Sequence, residues 1–312
     1  IIYVNPLLEW LEEGDCKYRL KSSEESVGSM AFADDLVAVT EDPVQVHTQA
    51  HKISSYCAWA GIRVNVNYER KDKTVYTSIC RRGGQAESAL IQTPAPASLM
   101  LDGKPVPHMR PNESYRYLGV EVSINLQWES QWASTMKGLQ KTASLISGCS
   151  GTTRQKLKLI DTVLRPAMRY PMGVVPYTWA QVQGMHSGLM NCARKGCGLS
   201  RCASTLFMMT DKGSYGVGVE SAFHTYVYTT VDSLRSLQQD DGDRGRMARG
   251  LWRAYDNLVV GGRLDSTKLA GATQLPMLHM RAQMEECGVR WGETEGRGPT
   301  DELRELWEGL EK

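Results

Sequence analysis

The chain has 312 residues, 41% hydrophobic and 23% charged, with a formal net charge of +1, the balance of a folded protein of about two ordinary domains. No run reaches the roughly 18 to 20 apolar residues of a membrane span and no charged start leads into a signal core. That argues against membrane insertion and secretion, and an intracellular setting, nuclear or cytoplasmic, is expected.

The chain opens on Ile1 inside an apolar segment, so a fragment lacking its front is expected. Residues 1–12 predict a helix started by Pro6, with Leu7, Leu8, Trp10 and Leu11 as its apolar face. A polar connection from Gly14 to Gly28 follows, with a short strand near Lys17 to Leu20. Ser29 to Thr40 then reads Ser-Met-Ala-Phe-Ala-Asp-Asp-Leu-Val-Ala-Val-Thr. Two short apolar runs around adjacent carboxylates predict a largely buried tight β-hairpin with Asp34 and Asp35 at its turn. Like charges held side by side repel, and the usual relief is a proton or a bound cation. Asp-Asp is also an ordinary turn dipeptide, because Asp tolerates turn geometry.

Asp42 and Pro43 are suited to open a helix that Gly61 stops, with Val46, Ala50, Ile53, Cys57 and Ala60 on its packed face. His47 and His51 lie four apart, but no Glu follows His47 and no third ligand is evident, so they are read as surface histidines. Gly61 to Val66 and Lys73 to Thr77 read as a turn, an irregular segment and a strand; Lys71 and Lys73 on their own are solvated charges. Arg81 to Pro107, rich in Gly, Pro, Ala and Ser, reads as a loop and a soft boundary. Ser114 to Val122 alternates on both sides of Gly119 and predicts a hairpin or bulged strand.

Helices are predicted over Trp128 to Ile146 and Thr153 to Tyr170, the second with a stripe of Leu157, Ile160 and Leu164. From Lys137 to Arg201 there are ten basic residues against one acid, Asp161. Most charge runs are solvated faces, but an imbalance this large points to a polyanion partner. In the same region Cys192, Cys197 and Cys202 recur at every fifth position, which suits neither zinc nor one face of a helix. Gly213 to Gly218 lacks the Gly-Lys-Ser or Gly-Lys-Thr of a phosphate loop. Ala222 to Gly250 reads as helical with a polar break at Gln238 to Arg246. Near the end, Leu303, Leu306, Trp307 and Leu310 predict a short amphipathic helix in an acidic tail.

Phe32-Ala33-Asp34-Asp35 followed by an aliphatic run resembles the catalytic hairpin of reverse transcriptases: an aromatic residue, any residue, two aspartates. Tyr117-Leu118-Gly119-Val120 resembles their primer grip, and Gly61 to Asn65 followed by Lys73-Thr74 resembles the motif between the two, although the stretch from Asn65 to Lys73 is longer than usual. Lys156 to Pro166 resembles the thumb of the non-LTR (LINE-type) retrotransposon branch. The resemblance covers residues 1 to about 220.

It implies an α+β fold: a partial palm over 1–125, a basic helical thumb-like region over 126–202 and a mostly helical region over 203–312. It implies an RNA-directed DNA polymerase that uses an RNA template, a DNA primer and deoxynucleoside triphosphates, with Mg2+ or Mn2+ on Asp34 and Asp35 and a lysine of the Asn65 to Lys73 region, Lys73 or else Lys71, as general acid to the leaving pyrophosphate. Tyr117, Leu118, Gly119, Lys137, Lys141, Arg154, Lys156 and Lys158 are the implied nucleic-acid contacts. The third palm carboxylate and the fingers would lie upstream of residue 1, so the chain alone is expected to be inactive. A non-catalytic nucleic-acid-binding remnant of a retroelement is the alternative.

Overall fold

The computed structural model describes residues 4–19, 26–67, 73–81, 90–92, 98–110, 113–124, 126–256, 259–260, 263–264, 276–287 and 289. They form a mixed α+β structure whose sheets are all small and antiparallel. They fall into two compact units, one within 1–127 and 240–272, the other within 128–239 and 273–312. Among the described residues no helix is long and apolar enough to cross a membrane. Lys71 and the predicted tail helix at Leu303 to Leu310 lie outside the described residues.

The 4–127 part of the first unit is built on two helices. In α1 (Asn5–Glu12) only Leu7 and Leu11, four apart, are buried. The predicted apolar face was wider, but Trp10 is exposed and lies under the Lys52 ammonium, 5.7 Å from the ring centre. The second helix, α2 (Pro43–Ala60), is capped by Asp42, whose carboxylate accepts from the Val44 amide at 2.7 Å, and it ends on Gly61 at φ 66°. Its inner face divides between two apolar clusters. Leu7, Leu11 and Tyr56 join Leu36, Ile53 and Ala60 in one; Ala50, Leu99, Leu101 and Val106 join Val46, Val64 and Tyr76 in the other.

That second cluster corrects the reading of Arg81 to Pro107 as a loop boundary. Strands β1 (Tyr18–Arg19) and β2 (Ser26–Val27) pair, as do β3 (Ser29–Phe32) and β4 (Asp35–Ala38), β5 (Ile79–Arg81) and β6 (Leu90–Gln92), and β7 (Met100–Leu101) and β8 (Lys104–Pro105). The last pair turns on Asp102-Gly103, at φ 50° and 71°, the left-handed pair that a two-residue hairpin requires and that Asp-Gly supplies. Leu99 and Leu101 are thereby buried on α2.

The second unit packs α3 (Glu129–Gly148) on α6 (Trp179–Gly196) and α6 on α8 (Ala222–Gln239). The stretch read as one helix from Thr153 to Tyr170 is α4 (Thr153–Leu159), a π turn (Ile160–Leu164) and α5 (Arg165–Met172). Pro166 explains the wider turn: proline has no N–H and its ring clashes with the carbonyl four residues back. The shift of register buries Ile160, Leu164, Met168 and Met172, while Leu157 is only half-buried. No break in packing falls at residue 202, because Tyr226 of α8 donates to the Tyr177 carbonyl and to Gln283 of α10 (Pro276–Glu286). The Gly213 to Gly218 run folds back on helix α7 (Thr205–Met209): Val217 donates to the Phe207 carbonyl, and Gly216 and Gly218 donate to the Asp211 and Thr210 carbonyls just after the helix. Helix α9 (Asp243–Asp256), which comes after the short break at 240–242 in the chain, belongs to the first unit.

Candidate functional site

The β3–β4 hairpin pairs Ser29 with Ala38, Met30 with Val37, Ala31 with Leu36 and Phe32 with Asp35. Alternation along a strand sends Ala31 and Leu36 to the face that packs on α1 and α2, and Met30, Phe32, Val37 and Asp35 to the other. The turn is therefore Ala33-Asp34, and Asp35 is the first residue of β4 rather than a turn residue. Ala33 sits at φ 56°, a left-handed conformation that costs a residue with a Cβ about 1–2 kcal/mol. The hairpin is less buried than its apolar composition implied: Phe32 is 66% exposed, and both aspartates are exposed.

The base of the hairpin is held by a side chain that sequence reasoning passed over. One carboxylate oxygen of Glu12, at the end of α1, accepts from the Ser29 amide at 2.7 Å and the Gly28 amide at 3.1 Å, and Lys17 pairs with the other at 3.1 Å. Burial raises the Glu12 pKa, but the Lys17 ammonium and the two amides outweigh it and hold the carboxyl below its usual range.

The hairpin of β9 (Ser114–Tyr117) and β10 (Val120–Ser123) turns on Leu118-Gly119, at φ 48° and 83°. It is a tight two-residue hairpin, not a bulged strand. Tyr115 and Tyr117 share one face of β9. The Tyr115 hydroxyl donates to the Lys73 carbonyl, and the Thr74 hydroxyl donates to the Asn65 carbonyl at 2.9 Å. The Tyr117 phenol is pushed up by burial and then by the negative charge of Asp35. Thus Tyr115 ties the Lys73 backbone to the Leu118-Gly119 hairpin, and the charge of Asp35 bears on the Tyr117 phenol of that hairpin. The only trace Tyr115 left in the sequence was its alternation with Tyr117.

Among the described residues neither Asp34 nor Asp35 enters an ion pair, and no three His, Cys, Asp or Glu side chains gather into a group fit for a metal. Two adjacent, exposed carboxylates free of basic partners do fit the hard-oxygen demand of Mg2+, which commonly takes one or two carboxylates and completes its shell with water and phosphate. His47 and His51 are exposed, as expected of surface histidines.

In the second unit the basic residues divide. Lys137 and Lys141, one turn apart on α3, and Arg154 and Lys158, one turn apart on α4, are exposed. Lys156 is half-buried and its ammonium donates to the Ser147 carbonyl at 3.2 Å, closing the end of α3. Arg165 pairs with Asp161 and Glu220, and Arg194 is buried. Charge counting could not tell these roles apart, because each depends on what lies beside the residue.

A scan against protein-family models finds no match for the chain, and a search of curated proteins finds none either.

Proposed function

We propose that the chain is part of an RNA-directed DNA polymerase of the non-LTR retrotransposon kind, which extends a DNA primer from its 3′ hydroxyl on an RNA template. The observation that carries this reading is that strand β9 meets Lys73 through the Tyr115 hydroxyl and feels the charge of Asp35 at Tyr117. These residues lie up to 82 positions apart.

In this reading Asp34 and Asp35 would hold Mg2+ or Mn2+, which when bound activates the primer hydroxyl and neutralises charge on the departing pyrophosphate. The chain's own groups do the rest. Pairing of β3 with β4 up to Phe32 and Asp35 fixes the backbone on either side of the turn and leaves both carboxylates exposed, so little reorganisation is needed when phosphate charge arrives. Gly119 has no Cβ and lets a primer backbone come close to the Leu118-Gly119 turn. Lys73, exposed beside the Tyr115 contact, is the general acid for pyrophosphate. Lys137, Lys141, Arg154 and Lys158 grip template–primer phosphates without reading bases.

The exposed basic residues of α3 and α4 need no chemistry, and on them rests a second reading, a non-catalytic nucleic-acid-binding remnant. Mn2+ separates the two. With a template–primer duplex present, Mn2+ is expected to broaden the amide resonances of Ala33 to Leu36, with Mg2+ competing and Asp34→Asn abolishing the effect. In the full-length enzyme, Asp34→Ala is expected to slow extension more than about a hundredfold, about 3 kcal/mol. Extension within a few fold of the parent, or no Mn2+ effect at the hairpin, overturns the polymerase reading.

A further inference from the structure

The second unit contains a polar cleft of about 290 Å3 along α6, where a water molecule takes about 30 Å3. Positions 183, 187 and 191 run along its rim at helical spacing and positions 186, 190 and 194 along its floor, with Thr205 and Phe223 opposite. His186 and Arg194 are 8% and 9% exposed.

Arg194 is the unusual member. Its Nε donates to the Ala203 carbonyl at 2.9 Å, Nη1 to the Asn191 side-chain oxygen at 3.3 Å and Nη2 to the Thr205 hydroxyl at 2.7 Å. All three acceptors are neutral. Among the described residues no carboxylate pairs with it, and one hydrogen on each terminal nitrogen remains to be used. A buried cation without a counter-ion is costly, and buried charges are ordinarily paired. His186 does not relieve it: its Nδ1 contacts the Ser221 hydroxyl at 3.4 Å, and its ring packs on Phe223 at 5.4 Å. Burial, and then the Arg194 charge, push the imidazole pKa down, so the ring is neutral at pH 7.

We infer that this cleft binds a tetrahedral oxyanion of the phosphate class, with the Arg194 guanidinium as its counter-charge and Gln183, His186 and Thr205 as polar contacts. The planar fork of arginine suits two oxygens of such an anion, and a half-enclosed site strengthens the charge-assisted bonds. The site is separate from the Asp34-Asp35 hairpin, and its failure leaves the polymerase reading as it stands.

The test is calorimetric titration of the whole chain with inorganic phosphate at pH 7, against chloride at matched ionic strength. Saturable binding of one phosphate per chain is expected. Asn191→Asp sets a carboxylate where the amide oxygen already accepts from Arg194, so it keeps the local hydrogen bond and supplies an internal counter-ion. It is expected to weaken phosphate binding by about tenfold or more. Gln183→Glu, at the exposed rim, does the same by repulsion and serves if the first variant misfolds. No saturable phosphate binding, or unchanged binding in a folded variant, overturns the proposal. A duplex oligonucleotide then separates two sources of the same anion. If phosphate competes with the duplex and Asn191→Asp weakens its binding, the ligand is a backbone phosphate; if duplex binding ignores both, it is free phosphate or a small phosphorylated molecule. Either result supports the site.

Discussion

Removing the Glu12 carboxylate tests whether the carboxylate-bearing hairpin is held in place from its base. Glu12→Ala deletes the acceptor of the Gly28 and Ser29 amides, at 3.1 and 2.7 Å, and the partner of Lys17. Hydrogen bonds to a charged group are each worth about 1.5–3 kcal/mol, but the Glu12 side chain is 37% exposed and water screens and partly replaces these interactions. A destabilisation of about 1–2 kcal/mol is therefore expected, with faster hydrogen exchange at the Gly28 and Ser29 amides. Glu12→Gln keeps an acceptor oxygen and loses the charge, so it should fall between parent and alanine variant. The pH dependence follows from the sign of the shift. Because the folded carboxyl titrates below its unfolded value, its contribution is complete above about pH 4.5 and is lost as the pH falls through the folded pKa. Urea midpoints for parent and Glu12→Ala should differ at pH 7 and converge by about pH 3. A difference that persists undiminished at pH 3, or is absent at pH 7, refutes the anchoring argument.

The other predictions concern the second unit. A Cβ on Gly216 would stand 2.0 Å from the Thr210 carbonyl oxygen, so Gly216→Ala should cost about 3 kcal/mol and lower the melting temperature by on the order of 10 °C. A fall of less than 2 °C in a calorimetric melt would show that the run folded back on α7 yields freely. The double variant Lys137→Glu, Lys141→Glu leaves the core untouched, because both side chains are exposed. Its binding to duplex should show a log–log salt slope shallower by about 1.8, since each phosphate that a lysine neutralises contributes about 0.9. An unchanged slope would place the polyanion-binding surface elsewhere.

What could be read from the chain alone was local. Asp42 before Pro43 and Gly61 after Ala60 bound α2 because capping and left-handed geometry act within one turn of helix. The Ser29 to Thr40 hairpin is marked by its two apolar runs, and Gly119 marks a tight turn. Asp102-Gly103 carried as strong a hairpin signal and was masked by the Pro- and Gly-rich composition around it. The Asp34-Asp35 pair was equally visible, but as a turn dipeptide it said nothing of its exposure.

Tertiary structure decided which side chains meet. Glu12 reaches Ser29 across 17 residues, Tyr115 reaches Lys73 across 42, and Arg194 reaches Thr205 across 11; no two of these partners lie in the same helix or strand. The same holds for the basic stretch. Lys137 and Lys141 face solvent, while Lys156, Arg165 and Arg194 are taken up by a carbonyl, by two carboxylates and by a buried cleft. A charge in the sequence is a number, and its energy depends on the dielectric and the neighbours that only the packed helices supply.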